Sequence, residues 1–428
     1  MCSVDANTFQ QIFRDHWDAF KTRYPTFDTP DYNTAVRKML DCGDSEKMGY
    51  VQYRCLFCGE TRRIAFTCKS CFCLSCAQPR MAQWSDFIGR RLLPGITYRH
   101  FVLTTADFLR HWFYQCSDLL SQLMRTGYAC LEDIFQTTTG KPLDIGCVMV
   151  LQTYGRSGEF NPHLHILVTA GGLTEQGTWK AVTFIPYELM HKKWQYHLLQ
   201  MLREHVDDPR VQQDIDRGWK NYPHGFVAYL QPGDVPPGGK GLAEYLAKYV
   251  VSPPISVRRL EDYDGHQVSY WYQDHKTHAI QHATLPVLRF IGRMVQHILP
   301  KGFQRIRYFG LHRHTRYQQV REQLAALRPA STPLDPRGYR VLPRPAFAQL
   351  FLATFGQDPL LCPRCGKPMD WELLYHPEYG ILKQAQLFEE DPPHERTASE
   401  CSGLAAADVG GDPLAHPLAL VQLPLPFL

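Results

Sequence analysis

The 428-residue chain has no run of about 18 apolar residues, the length a bilayer-spanning helix needs, so no membrane span is expected. Met1 to Gln11 has neither a basic n-region nor an apolar h-region. No secretory leader is therefore read, and a cytoplasmic location is expected. No Gly-x4-Gly-Lys-Ser/Thr loop occurs, which argues against an appended nucleotide-driven helicase. Net charge is only +4, so the total says little about partners. One absence is local: Arg289 to Arg321 carries eight Lys or Arg and no acid, and Arg54 to Arg99 carries eight against two. Two basic blocks with interleaved aromatics fit a polyanion partner. Six of the 14 cysteines fall between Cys55 and Cys76. Without a secretion signal, that crowding reads as metal ligation rather than a disulfide framework.

Hydrophobic content of 44% with 21% charge describes a globular chain, long enough for two or three domains. The reading divides it into 1–80, helical and cysteine-rich; 81–325, the catalytic region; 326–384, with a Cys-x2-Cys knuckle; and 385–428, acidic, rich in Pro, Gly and Ala, and read as a disordered tail. Phe9, Ile12, Phe13, His16 and Phe20 recur at helical spacing until Pro25 and Pro30 interrupt them. Residues 81–135 read as mostly helical, with a strand at Tyr98–Thr105. Gly146–Tyr154 reads as a buried strand, Gly155–Gly158 as its turn and Pro162–Val168 as the returning strand. Gly171-Gly172 is expected to end it. Residues 187–217 read as one helix with Trp194, His197, Leu198 and Met201 on one face. Leu242–Val251 reads as a short helix stopped by Pro253-Pro254, and Val268, Tyr270 and Tyr272 alternate as a strand.

Cys55-x2-Cys58 and Cys73-x2-Cys76 are two knuckles with the spacing of a structural zinc site, in which four thiolates close a tetrahedron. Cys68 and Cys71 are surplus: alternative ligands, part of a second metal site, or buried thiols. Arg62, Arg63, Lys69 and Arg80 around the cluster suggest nucleic-acid contact, with a purely structural clip as the alternative. The knuckle Cys362-Pro-Arg-Cys365 has no second pair nearby; Cys401 or His376 are its available partners.

The chemistry centres on Asn161-Pro162-His163-Leu164-His165. On a strand, residues i and i+2 face one way, so His163 and His165 present two imidazoles together. Alone, such a pair is also compatible with a core strand. Gln152, on the hairpin partner, offers an amide oxygen as third ligand. On the helix after residue 241, Tyr245 and Tyr249 lie one turn apart with Lys248 beside them. Ionising a phenol at pH 7 costs roughly 4 kcal/mol. A tyrosine nucleophile therefore calls for a cation nearby and a polarised electrophile, such as a phosphodiester held by a divalent metal. Ligand softness alone leaves Zn, Mn and Mg open.

Together these motifs resemble the His-hydrophobic-His rolling-circle transposases of the insertion-sequence-ninety-one type, also called two-tyrosine transposases. The resemblance rests on the cysteine cluster 55–76, the run Asn161–Gly172, Tyr245-Leu-Ala-Lys-Tyr249 with Ser252–Arg259, and the basic block His297–Tyr308. It implies a bacterial mobile-element enzyme with an α+β fold: a ferredoxin-like antiparallel sheet preceded by a small helical, zinc-binding domain. The implied reaction is endonuclease and strand-transfer chemistry on single-stranded or hairpin DNA ends, through a covalent 5′-phosphotyrosine. Mg²⁺ or Mn²⁺ is the implied catalytic metal and Zn²⁺ the structural one. Arg258, Arg259, Lys301, Arg305 and Arg307 join the implied DNA-binding set. Asn161 and Gln152 stand where histidines are frequent in such proteins, and Phe66 and Phe72 replace histidines common beside the cysteines. A replication initiator or relaxase of the same chemistry, or a zinc-finger protein without catalysis, are the alternative readings. The oligomeric state is not specified by the sequence.

Overall fold

The structure is a computed structural model and describes residues 7–76, 84, 88–89, 91–93, 95–231, 253–274, 277–326, 352 and 357–385. Helix Thr8–Arg23 buries Phe9, Ile12, Phe13, Trp17 and Phe20, at the spacing its sequence predicts. His16 is not part of that core; its Nε2 lies 3.0 Å from the Tyr263 hydroxyl. Pro25 opens a single 3-10 turn. Pro30 sits in the first turn of helix Pro30–Leu40, where its missing N–H costs nothing, and Thr29 caps that helix through its side chain. Strands β1 (Tyr50–Arg54) and β2 (Thr61–Ala65) form a hairpin around the first cysteine knuckle.

The central sheet begins with β3 (Tyr98–Thr104). Helices Arg110–Gln115 and Asp118–Thr139 follow, then β4 (Gly146–Tyr154) and β5 (Phe160–Thr169). β5 ends at Thr169, just before the Gly171-Gly172 pair, as expected; the glycines themselves continue into a short new strand. They form β6 (Gly171–Leu173) against β7 (Trp179–Ala181). Residues 187–217 are two helices, Tyr187–His205 and Arg210–Asn221. The break falls at Pro209, which lacks an N–H and disfavours helical geometry before it; Asp208 accepts from the Arg210 amide at 2.9 Å. Next come β8 (Ala228–Leu230), then β9 (Leu260–Tyr263), β10 (Gln267–Gln273) and β11 (Ile280–Pro286), which make a separate antiparallel sheet. Helix Val287–Val295, β12 (Ile306–Gly310) and helix Tyr317–Ala326 follow, then β13 (Asp370–His376) and β14 (Gly380–Gln384).

The central sheet has the order β12-β4-β5-β3-β8, every neighbouring pair antiparallel. This is an α+β fold on an antiparallel sheet. Side chains alternate between its faces. Phe101, Leu103, Met149, Leu151, Leu164 and Ile166 face helices Asp118–Thr139 and Tyr187–His205 in the largest core. The opposite face splits along its length. Val148, Val150 and Leu167 are covered there by Leu311, Val320 and Leu324, while the other end carries Gln152, His163, His165 and His100. At the sheet edge Gly310 is required: its φ is +56°, and a Cβ would lie 1.8 Å from the Ile145 carbonyl oxygen.

The N-terminal helices do not pack alone. Phe9, Phe13 and Phe20 share a core with Phe72, Tyr270, Phe290 and Met294, each fully buried ring contributing roughly 1.5–3 kcal/mol. Phe72 lies against Phe9 and Phe13, at 5.6 and 5.4 Å between ring centres, so this position serves packing. β13 adds to the edge of β1 across more than 300 residues of chain, giving the order β14-β13-β1-β2.

Candidate metal centre and nucleic-acid face

Register brings the polar end of the central sheet together. Gln152 pairs with His163 across β4 and β5, and Thr104 pairs with His163 across β3 and β5. The two histidine rings lie 5.0 Å apart. His163 Nδ1 donates to the Asn161 carbonyl at 2.7 Å, which fixes its tautomer and leaves the Nε2 lone pair for a ligand. His165 is held from both sides: Nδ1 lies 3.2 Å from His100 Nε2 and Nε2 lies 3.1 Å from Gln152 Oε1. The His100 and His165 rings are stacked within 2° of parallel.

His100 was not among the residues singled out from the sequence. It is buried, and its Nδ1 donates to Gln231 Oε1 at 3.1 Å. Burial pushes its imidazole down to about 4, so the ring is neutral near pH 7 and its Nε2 is an acceptor. His165 Nδ1–H must then be the donor, which leaves a lone pair on His165 Nε2. Gln152 Oε1 is the atom that faces that nitrogen. Two lone-pair atoms 3.1 Å apart repel unless a cation lies between them. Adjacent ligands about 2.1 Å from an octahedral cation are about 3 Å apart, so the donor set fits a hard divalent ion. Burial lowers His163 to about 4 and His165 well below its ordinary value, which keeps both imidazoles in the neutral form that metal binding requires.

Tyr245, Lys248 and Tyr249 lie outside the described residues, as does Arg80. Of the basic residues read as DNA contacts, several are engaged in the fold. Arg62 donates to the Asp358 carbonyl at 3.1 Å and Arg63 to Gln52 at 2.8 Å. Arg259 donates to the Trp271 carbonyl at 2.9 Å and Arg307 to Ser121 Oγ at 2.7 Å. Arg305 is half-buried, and Lys69, Arg258 and Lys301 are exposed.

The cysteines group differently from the expected set of Cys55, Cys58, Cys73 and Cys76. Cys73 and Cys76 converge with Cys68 and Cys42, while Cys55 and Cys58 converge with Cys362 and Cys365. In the first group Cys76 Sγ lies 3.5 Å from Cys42 Sγ and 3.6 Å from Cys68 Sγ. Thiolates about 2.3 Å from a tetrahedral zinc are about 3.8 Å apart, so this group fits the ion. The β1–β2 hairpin separates the two knuckles expected to share one metal: Cys55 and Cys58 lie at its turn, whereas Cys73 and Cys76 follow the other end of β2. Cys71 belongs to neither group, and His376, a considered partner of Cys362, stacks on Tyr379 instead. Cys401 lies outside the described residues.

Comparison with known proteins agrees with these features. Residues 146–319 match the family model described as "Putative transposase", and residues 12–105 match that of the "Transposase zinc-binding domain". The chain is 32% identical over 347 residues to the transposase for insertion sequence element IS801 of Pseudomonas savastanoi pv. phaseolicola, covering 78% of this chain and 82% of that protein. It is 28% identical over 354 residues to the putative transposase y4qJ of Sinorhizobium fredii, covering 77% and 87%. No solved structure matches the chain significantly. Among the described residues no helix is long and apolar enough to cross a membrane. The zinc-binding domain, the antiparallel sheet with its histidine face and the extent of these matches together show that the chain belongs to the IS91-type insertion-sequence transposases.

Proposed function

We propose that this transposase nicks and rejoins single-stranded or hairpin DNA at element ends by tyrosine attack, in rolling-circle fashion. The observation that carries the reading is the convergence of His163, His165 and Gln152 on one end of one sheet face. These three residues would hold Mg²⁺ or Mn²⁺. A cation bound there supplies polarisation of a phosphodiester oxygen and orients the phosphorus for attack. Asn161 fixes His163 through its carbonyl, and His100 and Gln231 orient His165. One phenol, Tyr245 or Tyr249, attacks phosphorus. The phenol gives up its proton as a P–O bond forms to the tyrosine, the bond to the 3′ oxygen breaks, and that oxygen takes up one proton and leaves as a hydroxyl, so bonds and protons balance. The resulting 5′-phosphotyrosine keeps the bond energy for rejoining, and the second phenol serves the other transfer. Lys248 offsets negative charge on phosphate or phenolate.

The test is incubation with single-stranded element-end DNA and Mn²⁺, followed by denaturing gels that resolve a covalent protein–DNA adduct. Wild type should form the adduct, and the Tyr245→Phe/Tyr249→Phe variant should not. His163→Ala should lose cleavage while DNA binding stays within about twofold, since the histidine is assigned to metal rather than to DNA affinity. DNA binding by wild type without any adduct would leave a zinc-containing DNA-binding protein and sink the nuclease reading.

A further inference from the structure

The second cysteine group joins two parts of the chain that neither family match contains together. The zinc-binding match ends at residue 105 and the transposase match at 319, whereas Cys362 and Cys365 lie beyond both. All four sulfurs of Cys55, Cys58, Cys362 and Cys365 fall within 4.8 Å of one another. Cys55 Sγ is 3.5 Å from Cys365 Sγ, and Cys58 Sγ is 3.6 Å from Cys362 Sγ. All four are free thiols. These separations are too long for a disulfide and fit ligands of a tetrahedral ion.

The two halves are built alike. Each is Cys-x2-Cys-Gly, and the glycine has positive φ, +74° at Gly59 and +69° at Gly366. In each, the glycine N–H donates to the carbonyl of the first cysteine at 2.9 Å, Gly59 to Cys55 and Gly366 to Cys362. In each, the first cysteine's N–H donates to the carbonyl five residues on at 2.8 Å, Cys55 to Glu60 and Cys362 to Lys367. Two identical turns thus face each other with their sulfurs inward. The strands beside them hold the halves together. β1 pairs with β13, and buried Glu372 of β13 accepts from Gln52 Nε2 at 2.9 Å and Arg54 Nε at 3.0 Å on β1.

We propose that Cys55, Cys58, Cys362 and Cys365 bind a second structural Zn²⁺ in a two-piece zinc ribbon, half of it supplied by the C-terminal segment. The N-terminal zinc module is thus complete only when the far end of the chain joins it. Four thiolates with no open position make this a closed structural site rather than a catalytic one.

Metal analysis of the full-length protein tests this. Wild type should carry two zinc ions per chain. Cys55→Ser/Cys58→Ser and Cys362→Ser/Cys365→Ser should each carry one, and the variant combining all four substitutions should still carry one. Cys42→Ser/Cys76→Ser combined with Cys362→Ser/Cys365→Ser should carry none. A single zinc in wild type, or independent loss of two ions by the Cys55/Cys58 and Cys362/Cys365 changes, would overturn the proposal. A variant-free measurement guards against misfolding: differential alkylation of native protein before and after chelation, read by peptide mapping. Cys55, Cys58, Cys362 and Cys365 should be protected together and released together; alkylation of Cys362 and Cys365 in native protein while Cys55 and Cys58 stay protected would refute the shared site.

Discussion

His100 acts on the candidate centre through another residue. It touches none of the proposed metal-ligand atoms except through His165 Nδ1, and by accepting that proton it dictates which His165 nitrogen faces Gln152. Groups that orient a ligating imidazole commonly govern metal affinity by about 10–100-fold. His100→Ala should therefore weaken Mn²⁺ binding by about that factor with no DNA present, as read by paramagnetic resonance titration, while zinc content is unchanged. Equal Mn²⁺ affinity in the variant would remove His100 from the centre. His163, His165 and Gln152 were legible because the first two share a local motif and the third sits on the adjoining hairpin strand. His100 was not, since only the β3–β5 pairing brings it near. Cys42 was missed for a related reason: it stands alone, thirteen residues before the next cysteine, and no spacing rule marks a solitary thiol.

The hairpin of β4 and β5 was readable from its apolar runs and glycine turn, and its tip is pinned by a residue far along the chain. His297 Nε2 donates to the Gly158 carbonyl at 2.9 Å, and its Nδ1 accepts from Thr153 Oγ1 at 3.2 Å. Burial pushes this imidazole down to about 3. His312, whose Nε2 accepts from the Tyr98 hydroxyl at 2.9 Å, is likewise lowered to about 3 by burial. Both folded values lie below the unfolded value of about 6.5. Unfolded chain then binds more protons than folded chain at acid pH, so this stability is present above about pH 6.5 and is lost as pH falls toward 3. The slope reaches about 1.4 kcal/mol per pH unit for each imidazole. Urea midpoints should drop between pH 7 and pH 5. His312→Gln should lower stability at pH 7 and flatten that dependence; an unaltered slope would mean the ring is not buried in neutral form. The helix expected over 187–217 is two helices because Pro209 interrupts an apolar period that otherwise continues.

At the scale of the whole molecule, sequence periodicity located the elements but not their long-range partners. It indicated an N-terminal zinc-binding region and a histidine-bearing strand pair. It did not indicate that helix Thr8–Arg23 shares a core with helix Val287–Val295, or that β13 extends the sheet of β1 and β2. Such pairings are set by complementarity between surfaces hundreds of residues apart, and local pattern carries no trace of it. A chain ending at residue 326 would expose the β1 edge that β13 covers, along with Gln52 and Arg54, which bond Glu372. Hydrogen exchange across residues 50–65 should speed up at least tenfold in that truncation, while exchange in β4 and β5 stays protected; unchanged exchange at 50–65 would show that β1 does not depend on β13. The same pairing places a delay in the protein's synthesis. β1 leaves the ribosome early, but its partner follows some 300 residues later, about 15–60 s at ordinary bacterial elongation rates. For that interval the central sheet is free to fold beside an unfinished zinc module, so a newly made transposase acquires its complete N-terminal module only once β13 and the Cys362–Cys365 turn have been made.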